Sequence, residues 1–140
     1  MCWYKYYLKY SGTSSGGVWV VDRAADKIDY LHEHITVLRS GEASASQQAA
    51  HKVRYLLDSH SIEIGKLPMV KTAAKMLSKL NYEKGLECGF IVAGWDPYKG
   101  GQVFSVNLGG ASLEREFTMG GSGSGFIYGF CDANWKVTIH

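Results

Sequence analysis

Two consecutive stretches of helical periodicity, flanked on both sides by strand-like runs, constrain the fold of this chain more than any other feature. From Glu42 to about Ser59, Ala49, Ala50, Val53, Leu56 and Leu57 recur at the spacing of one helix face, with Gln, His, Lys and Arg residues between them. A second amphipathic helix follows. Pro68 stands in its first-turn position, Val70, Ala73, Ala74, Leu77 and Leu80 face inward, and Lys71, Lys75 and Lys79 face outward. Upstream, the turn chemistry of "SGTSSGG", Ser11 to Gly17, precedes a short strand in "VWVV". "HITVLRSG", His34 to Gly41, places Ile35, Val37 and Arg39 on one strand face and Thr36 and Leu38 on the other, before Gly41 breaks it. Downstream, "CGFIVAGWD", the turn "DPYKGG", "QVFSVNLGG" and "SLEREFTMG" predict a meander of three strands. Strands, two helices, then strands is the layer pattern of an α+β fold. It excludes the strict βαβ alternation of a doubly wound sheet.

The chain's 140 residues, 46% of them apolar, suffice for one domain with a sizeable core. A formal charge of +2, with basic residues scattered among acidic ones, gives no electrostatic footprint for nucleic acid. Cys2, Cys88 and Cys131 form an odd set without metal-ligand spacing. That pattern fits reduced thiols in a cytosolic or nuclear setting, and no metal or cofactor is implied. No stretch approaches the ~20 apolar residues that cross a bilayer, and lysines interrupt the aromatics of Met1 to Tyr10 where a signal peptide keeps an apolar core. The expectation is a chain that uses neither membrane nor nucleic acid.

"MGGSGSGFIYGF", Met119 to Phe130, is the most unusual stretch. A phosphate-binding loop follows its glycines with Lys and Ser or Thr, but Phe126 and Ile127 stand there instead. A flexible linker continues in polar residues, whereas this one passes into Phe126, Ile127, Tyr128 and Phe130, which read as buried at the start of a helix. A Gly/Ser turn capping a helix is the plain reading of the residues themselves.

Several of these motifs occur together in one family. "GFIVAGWDPYKGGQVFSVNLGG", then "GGSGSGFIYGFCDANW", with "DKI" and "RSGEASASQQAAHKVRYLLDSHSIE" upstream in the same order, resemble a catalytic β subunit of the 20S proteasome. The likeness is nearest to the caspase-like type, which cleaves after acidic residues. It runs from about residue 11 to 136, leaving 1–10 and 137–140 as atypical ends. The resemblance implies the N-terminal nucleophile hydrolase fold, a four-layer αββα sandwich, in a heptameric β ring with other proteasome α and β subunits. It also implies unfolded polypeptides as substrates and the cytoplasm and nucleus as location. The likeness begins after the first hairpin of that fold and stops as a long helix starts, so the first hairpin and the last third are expected to be missing. Open sheet edges and wet apolar faces are expected to follow.

The resemblance also assigns residues. Family members attack the peptide carbonyl with an N-terminal Thr, through an acyl-enzyme. Lys27 matches the catalytic lysine, whose charge lowers the pKa of that nucleophile. Gly41 matches the glycine whose N–H helps form the oxyanion hole, where one donor is worth roughly 3 kcal/mol. Ser122 matches a serine close to the nucleophile. Arg39 matches the pocket-floor position and would bind an acidic side chain by paired hydrogen bonds. Ala43 lines the same pocket, and Ser14 stands near the residue that hydrogen-bonds the substrate backbone. Taken by themselves, Lys27 and Arg39 read as solvated surface charges and Gly41 as a strand terminator.

Departures accompany the match. "MCWYKYYLKYSG" contains no Thr, Tyr10 takes the place of an acidic residue, Gly12 that of an Arg, and Ala45 that of an Asp. Two functions are therefore open at the level of sequence: a threonine-type endopeptidase subunit of the proteasome, and a catalytically inactive structural or interaction fragment. A phosphate-binding module fails for want of its Lys.

Overall fold

The computed structural model describes residues 14–15, 20–22 and 25–135. Strands β1 (Ser14–Ser15) and β2 (Val20–Asp22) pair antiparallel as a small ribbon. Next come β3 (Ile28–His32), β4 (Ile35–Gly41), helix α1 (Ala43–Ile64) and helix α2 (Val70–Lys84). Strands β5 (Cys88–Asp96), β6 (Gly100–Val106) and β7 (Ser112–Arg115) follow, and helix α3 (Ser124–Asn134) comes last. The main sheet has five antiparallel strands in the order β3-β4-β5-β6-β7, so each strand pairs with the next and the helices are inserted between two of them.

One face of this sheet carries the core. Ile35 and Val37 of β4, Phe90 and Val92 of β5, and Phe104 and Val106 of β6 alternate onto that face. They pack with Ala49, Ala50, Val53 and Leu57 of α1 and Val70, Ala73, Ala74 and Leu77 of α2. The predicted helical stripes are therefore the core faces of both helices, except that Leu56 is 40% exposed and Leu80 only partly buried. Helix α1 runs past its expected end to Ile64, where Gly65 in the left-handed conformation closes it. Pro68 precedes the helix it was expected to open, because Met69 is the N-cap and Val70 the first helical residue. The three-stranded meander is present as β5, β6 and β7. Sequence periodicity did not single out β3, since a five-residue strand whose exposed Tyr30 and buried Leu31 differ from simple alternation gives little signal.

Phe126, Ile127, Tyr128 and Phe130 are not buried as expected. They lie on α3 with between half and nine-tenths of their surface exposed, and none of the helix's residues is buried among the described residues.

One carboxylate fastens the start of α2 to the sheet. Asp96, the last residue of β5, is buried, and its Oδ2 accepts the Val70 N–H at 3.1 Å and the Gln102 Nε2–H at 2.6 Å. Its Oδ1 accepts the N–H groups of Tyr98 at 3.0 Å and Lys99 at 2.9 Å. Met69 makes no side-chain cap, so Asp96 acts as the missing cap of α2 from a strand 26 residues away and complements the helix dipole. At the other end of α2, buried Asn81 donates from Nδ2 to the Cys88 carbonyl at 3.0 Å and the Asn107 carbonyl at 2.9 Å.

Burial raises the Asp96 pKa, but the donated bonds from Lys99, Val70, Gln102 and Tyr98 outweigh it and hold the carboxyl below its ordinary 3.8. The folded value lies below the unfolded one, so around these pH values the folded state binds fewer protons than the unfolded state does. Stability contributed by Asp96 is then complete above the ordinary carboxylate range and is lost as pH drops through the lower folded value. Asp96→Ala strips four donors of their acceptor and is expected to cost roughly 2–4 kcal/mol, read as a lower urea midpoint at unchanged slope. The midpoint gap between wild type and Asp96→Asn should be widest near neutral pH and close below about pH 4. A gap that persisted undiminished in acid would show that the charge of Asp96 is not what stabilises this junction.

Candidate functional site

The antiparallel order of the sheet brings the end of β3's approach, the end of β4 and the start of β5 to one edge. Lys27 precedes β3 and its carbonyl accepts the Arg39 N–H at 2.9 Å, while Gly41 pairs in register with Cys88. Ala43 opens α1 directly after β4. Lys27, Arg39, Gly41 and Ala43, which the sequence assigned separately, thus meet at one end of the sheet.

Strand alternation then sends neighbouring residues to opposite sides. Arg39 points with Val37 toward the helices, and Ser40 points away from them. On the side away from the helices, Ser40, Gly41 and Gly89 line a cleft of ≈510 Å³ together with Asn107, Leu108, Gly109, Gly120 and Gly121. The glycine-rich loop therefore does reach the Gly41 end of the sheet, through the two glycines that precede Ser122. Ser122 itself is exposed and Arg39 does not line this cleft. Ser14 lies in the β1–β2 ribbon, paired with Asp22, and is not among the residues brought to this edge by the main sheet.

On the helix side, Arg39 is the centre of a hydrogen-bonded network. Its side chain is 8% exposed, and its Nε is ion-paired with Asp29 Oδ2 in a short contact. Nη1 donates to Ser46 Oγ at 3.2 Å and Nη2 to the Asp26 carbonyl at 2.8 Å. Ser46, buried in α1, passes the chain on by donating to the Ala43 carbonyl at 3.0 Å. Arg39 is therefore neither a solvated surface charge nor an open guanidinium, since three of its five N–H donors are already engaged.

Asp29 and Ser46 were missed by sequence reasoning. The signal for Asp29 was present: in a β3–β4 hairpin it opposes Val37, which makes it a diagonal same-face neighbour of Arg39. Recognising it required β3 to be recognised first. Ser46 carries no such signal, because a serine in a first helical turn is common and only packing puts it beneath Arg39.

Gly41 earns its conformation twice over. Its φ is +93°, and a Cβ there would lie 2.3 Å from the Glu87 carbonyl oxygen. The loop glycines differ. Gly121 has φ +99°, yet a Cβ at 121, 123 or 125 would meet nothing within 4 Å among the described residues. Cys88, beside Gly41, is no substitute nucleophile: burial pushes its thiol up, and Sγ lies 3.5 Å from the Glu42 carbonyl it donates to. No group of three or more His, Cys, Asp or Glu suited to a metal occurs among the described residues.

A family model described as "Proteasome subunit" matches residues 11–140. A proteasome subunit beta type-6 from Arabidopsis thaliana is 43% identical over 125 residues, covering 88% of this chain and 54% of the relative. The beta type-6 subunit of Dictyostelium discoideum is 43% identical over 122 residues, 86% of this chain and 57% of that one. A proteasome subunit beta type-9 from Oncorhynchus mykiss is 43% identical over 127 residues, 89% of this chain and 58% of the relative. The chain thus spans somewhat over half the length of the relatives it matches.

The two classes of glycine should separate on substitution. Gly41→Ala forces both a left-handed alanine and a backbone collision, and is expected to cost about 3 kcal/mol or more of stability. Gly121→Ala carries only the conformational part, about 1 kcal/mol. Urea midpoints of the two variants measure this. Equal losses would mean that the loop before β5 yields to the new methyl group and that Gly41 is not sterically required.

Proposed function

The chain belongs to the proteasome β subunit family, and from that premise we propose that it serves in the 20S core as a threonine-type endopeptidase subunit that cleaves after acidic residues. Its partners in this reading are other α and β subunits of the ring, its substrates unfolded polypeptides, and its place the cytoplasm and nucleus. The observation that carries the proposal is the meeting of Lys27, Gly41 and the loop of Ser122 at one end of the sheet, with Arg39 held just behind the same strand end.

Each residue has a distinct task in this reading. Lys27 lowers by its charge the pKa of the threonine nucleophile, which residues 1–12 do not supply and an intact form of the subunit would carry, so that attack on the scissile carbonyl proceeds near neutral pH. Gly41 presents its backbone N–H to the oxygen that becomes negative in the tetrahedral intermediate. Ser122 stands by the nucleophile as a hydrogen-bonding neighbour. Arg39 offers its two remaining N–H donors to an acceptor on the substrate side chain before the cut, Ala43 walls that pocket, and Ser14 holds the substrate backbone.

The test uses particles purified with this subunit in place and peptides that differ only in the residue before the scissile bond. Lys27→Ala should lower turnover on every substrate of this subunit alike, by about 100-fold or more, because it serves the nucleophile and not the pocket. Arg39→Leu should instead move the Glu-to-Leu ratio of kcat/KM by on the order of a hundredfold toward Leu. An unchanged ratio would remove Arg39 from the pocket. Turnover that survives Lys27→Ala on all peptides would remove this subunit from catalysis.

A further inference from the structure

We infer that Asp29 is a specificity-determining residue that shares the charge of Arg39, so that the pocket selects hydrogen-bond acceptors and discriminates only weakly between an acid and its amide. The inference rests on the reading of Arg39 as the pocket floor, and it concerns what that floor can distinguish.

The geometry carries it. Asp29 and Arg39 form an ion pair on the helix side of the β3–β4 hairpin, and the acid is its more exposed member, at 28% against 8% for the arginine. A side chain approaching Arg39 from solvent meets the Asp29 carboxylate beside it. The guanidinium cannot turn away from Asp29 to face a newcomer, because Ser46 Oγ and the Asp26 carbonyl fix its other edge from two separate segments. A substrate carboxylate therefore adds a second negative charge to a cation that already has its counter-ion. Like charges at such a site repel, and the Coulombic gain from Arg39 is largely cancelled. A substrate amide of the same shape accepts the same hydrogen bonds without that repulsion. An apolar side chain leaves the remaining N–H donors unpaired and is still disfavoured. Acidic and amide side chains are thus separated from apolar ones by hydrogen bonding, while Asp29 sets how far charge separates them from each other.

Purified particles carrying wild-type, Asp29→Asn or Asp29→Ser subunits are compared on matched peptides with Glu or Gln before the cut. Hydrolysis that persists in the Lys27→Ala particle is subtracted, so that only this subunit's share is read. In the wild type, kcat/KM for Glu and Gln is expected to agree within about threefold, and Asp29→Asn is expected to raise the Glu-to-Gln ratio about tenfold or more. Asn keeps an acceptor for Arg39 Nε and removes only the charge. Ser decides the question where the Asn variant fails to assemble, and the same rise is expected there. A ratio unmoved in the variants, with Lys27-dependent cleavage intact, overturns the inference and leaves the function standing, since Asp29 then supports only the fold. Absence of any Lys27-dependent cleavage overturns the functional reading and this inference together.

Discussion

The Asp96 carboxylate is the constraint on which the two-layer arrangement depends. A helix has four N-terminal N–H groups without intrahelical partners, and α2 supplies no side-chain cap of its own. The acceptor comes instead from the far end of β5, and the same carboxylate closes the β5–β6 turn and holds Gln102 of β6. Helix position, turn geometry and strand pairing are therefore satisfied by one buried charge. An isolated buried charge would be costly, and four donated hydrogen bonds are what make this one tolerable. With α2 fixed at its start by Asp96 and at its end by Asn81, the helix lies across β5 and β6 in a defined register.

That register bears directly on the candidate site. Helix α2 ends in Gly85, the chain turns back, and Glu87 and Cys88 arrive against Gly41 at a distance that excludes a Cβ. The end of β4 is thereby held while α1 begins two residues later, which carries Ser46 beneath Arg39. Two residues apart on one strand, Arg39 and Gly41 serve different surroundings: Arg39 an enclosed polar network under the helix layer, Gly41 the cleft it shares with the glycine-rich loop.

The face of the main sheet turned away from α1 and α2 is also apolar in part. Ile28, Leu38 and Ile91 are half-buried there, and Leu113 is 42% exposed. Together with the exposed aromatics of α3, this matches the inner surface of a layered sandwich, in which a second sheet covers the first. A helix with Phe126, Ile127, Tyr128 and Phe130 all at its surface is apolar on most of its circumference, which is a pattern of burial rather than of solvation.

The sequence by itself determined the helix stripes, the meander of β5, β6 and β7, the α+β class and the family. These rest on period and on short motifs, and both are local properties of a chain. It also put Arg39 on the same strand face as Ile35 and Val37, which strand alternation alone dictates. Only tertiary structure decided what Arg39 touches. Asp26 and Asp29 come from β3 and the residues just before it and Ser46 from α1, and nothing in the spacing of a serine in α1 announces that its hydroxyl will meet a guanidinium from β4. The same holds for Asp96, which reads as an ordinary turn residue before Pro97 and becomes the cap of a helix 26 residues earlier. Hydrophobic period is written along the chain and can be read there. The partner of a buried polar group is whichever residue the fold brings within about 3 Å of it, and that distance exists only once the layers have packed.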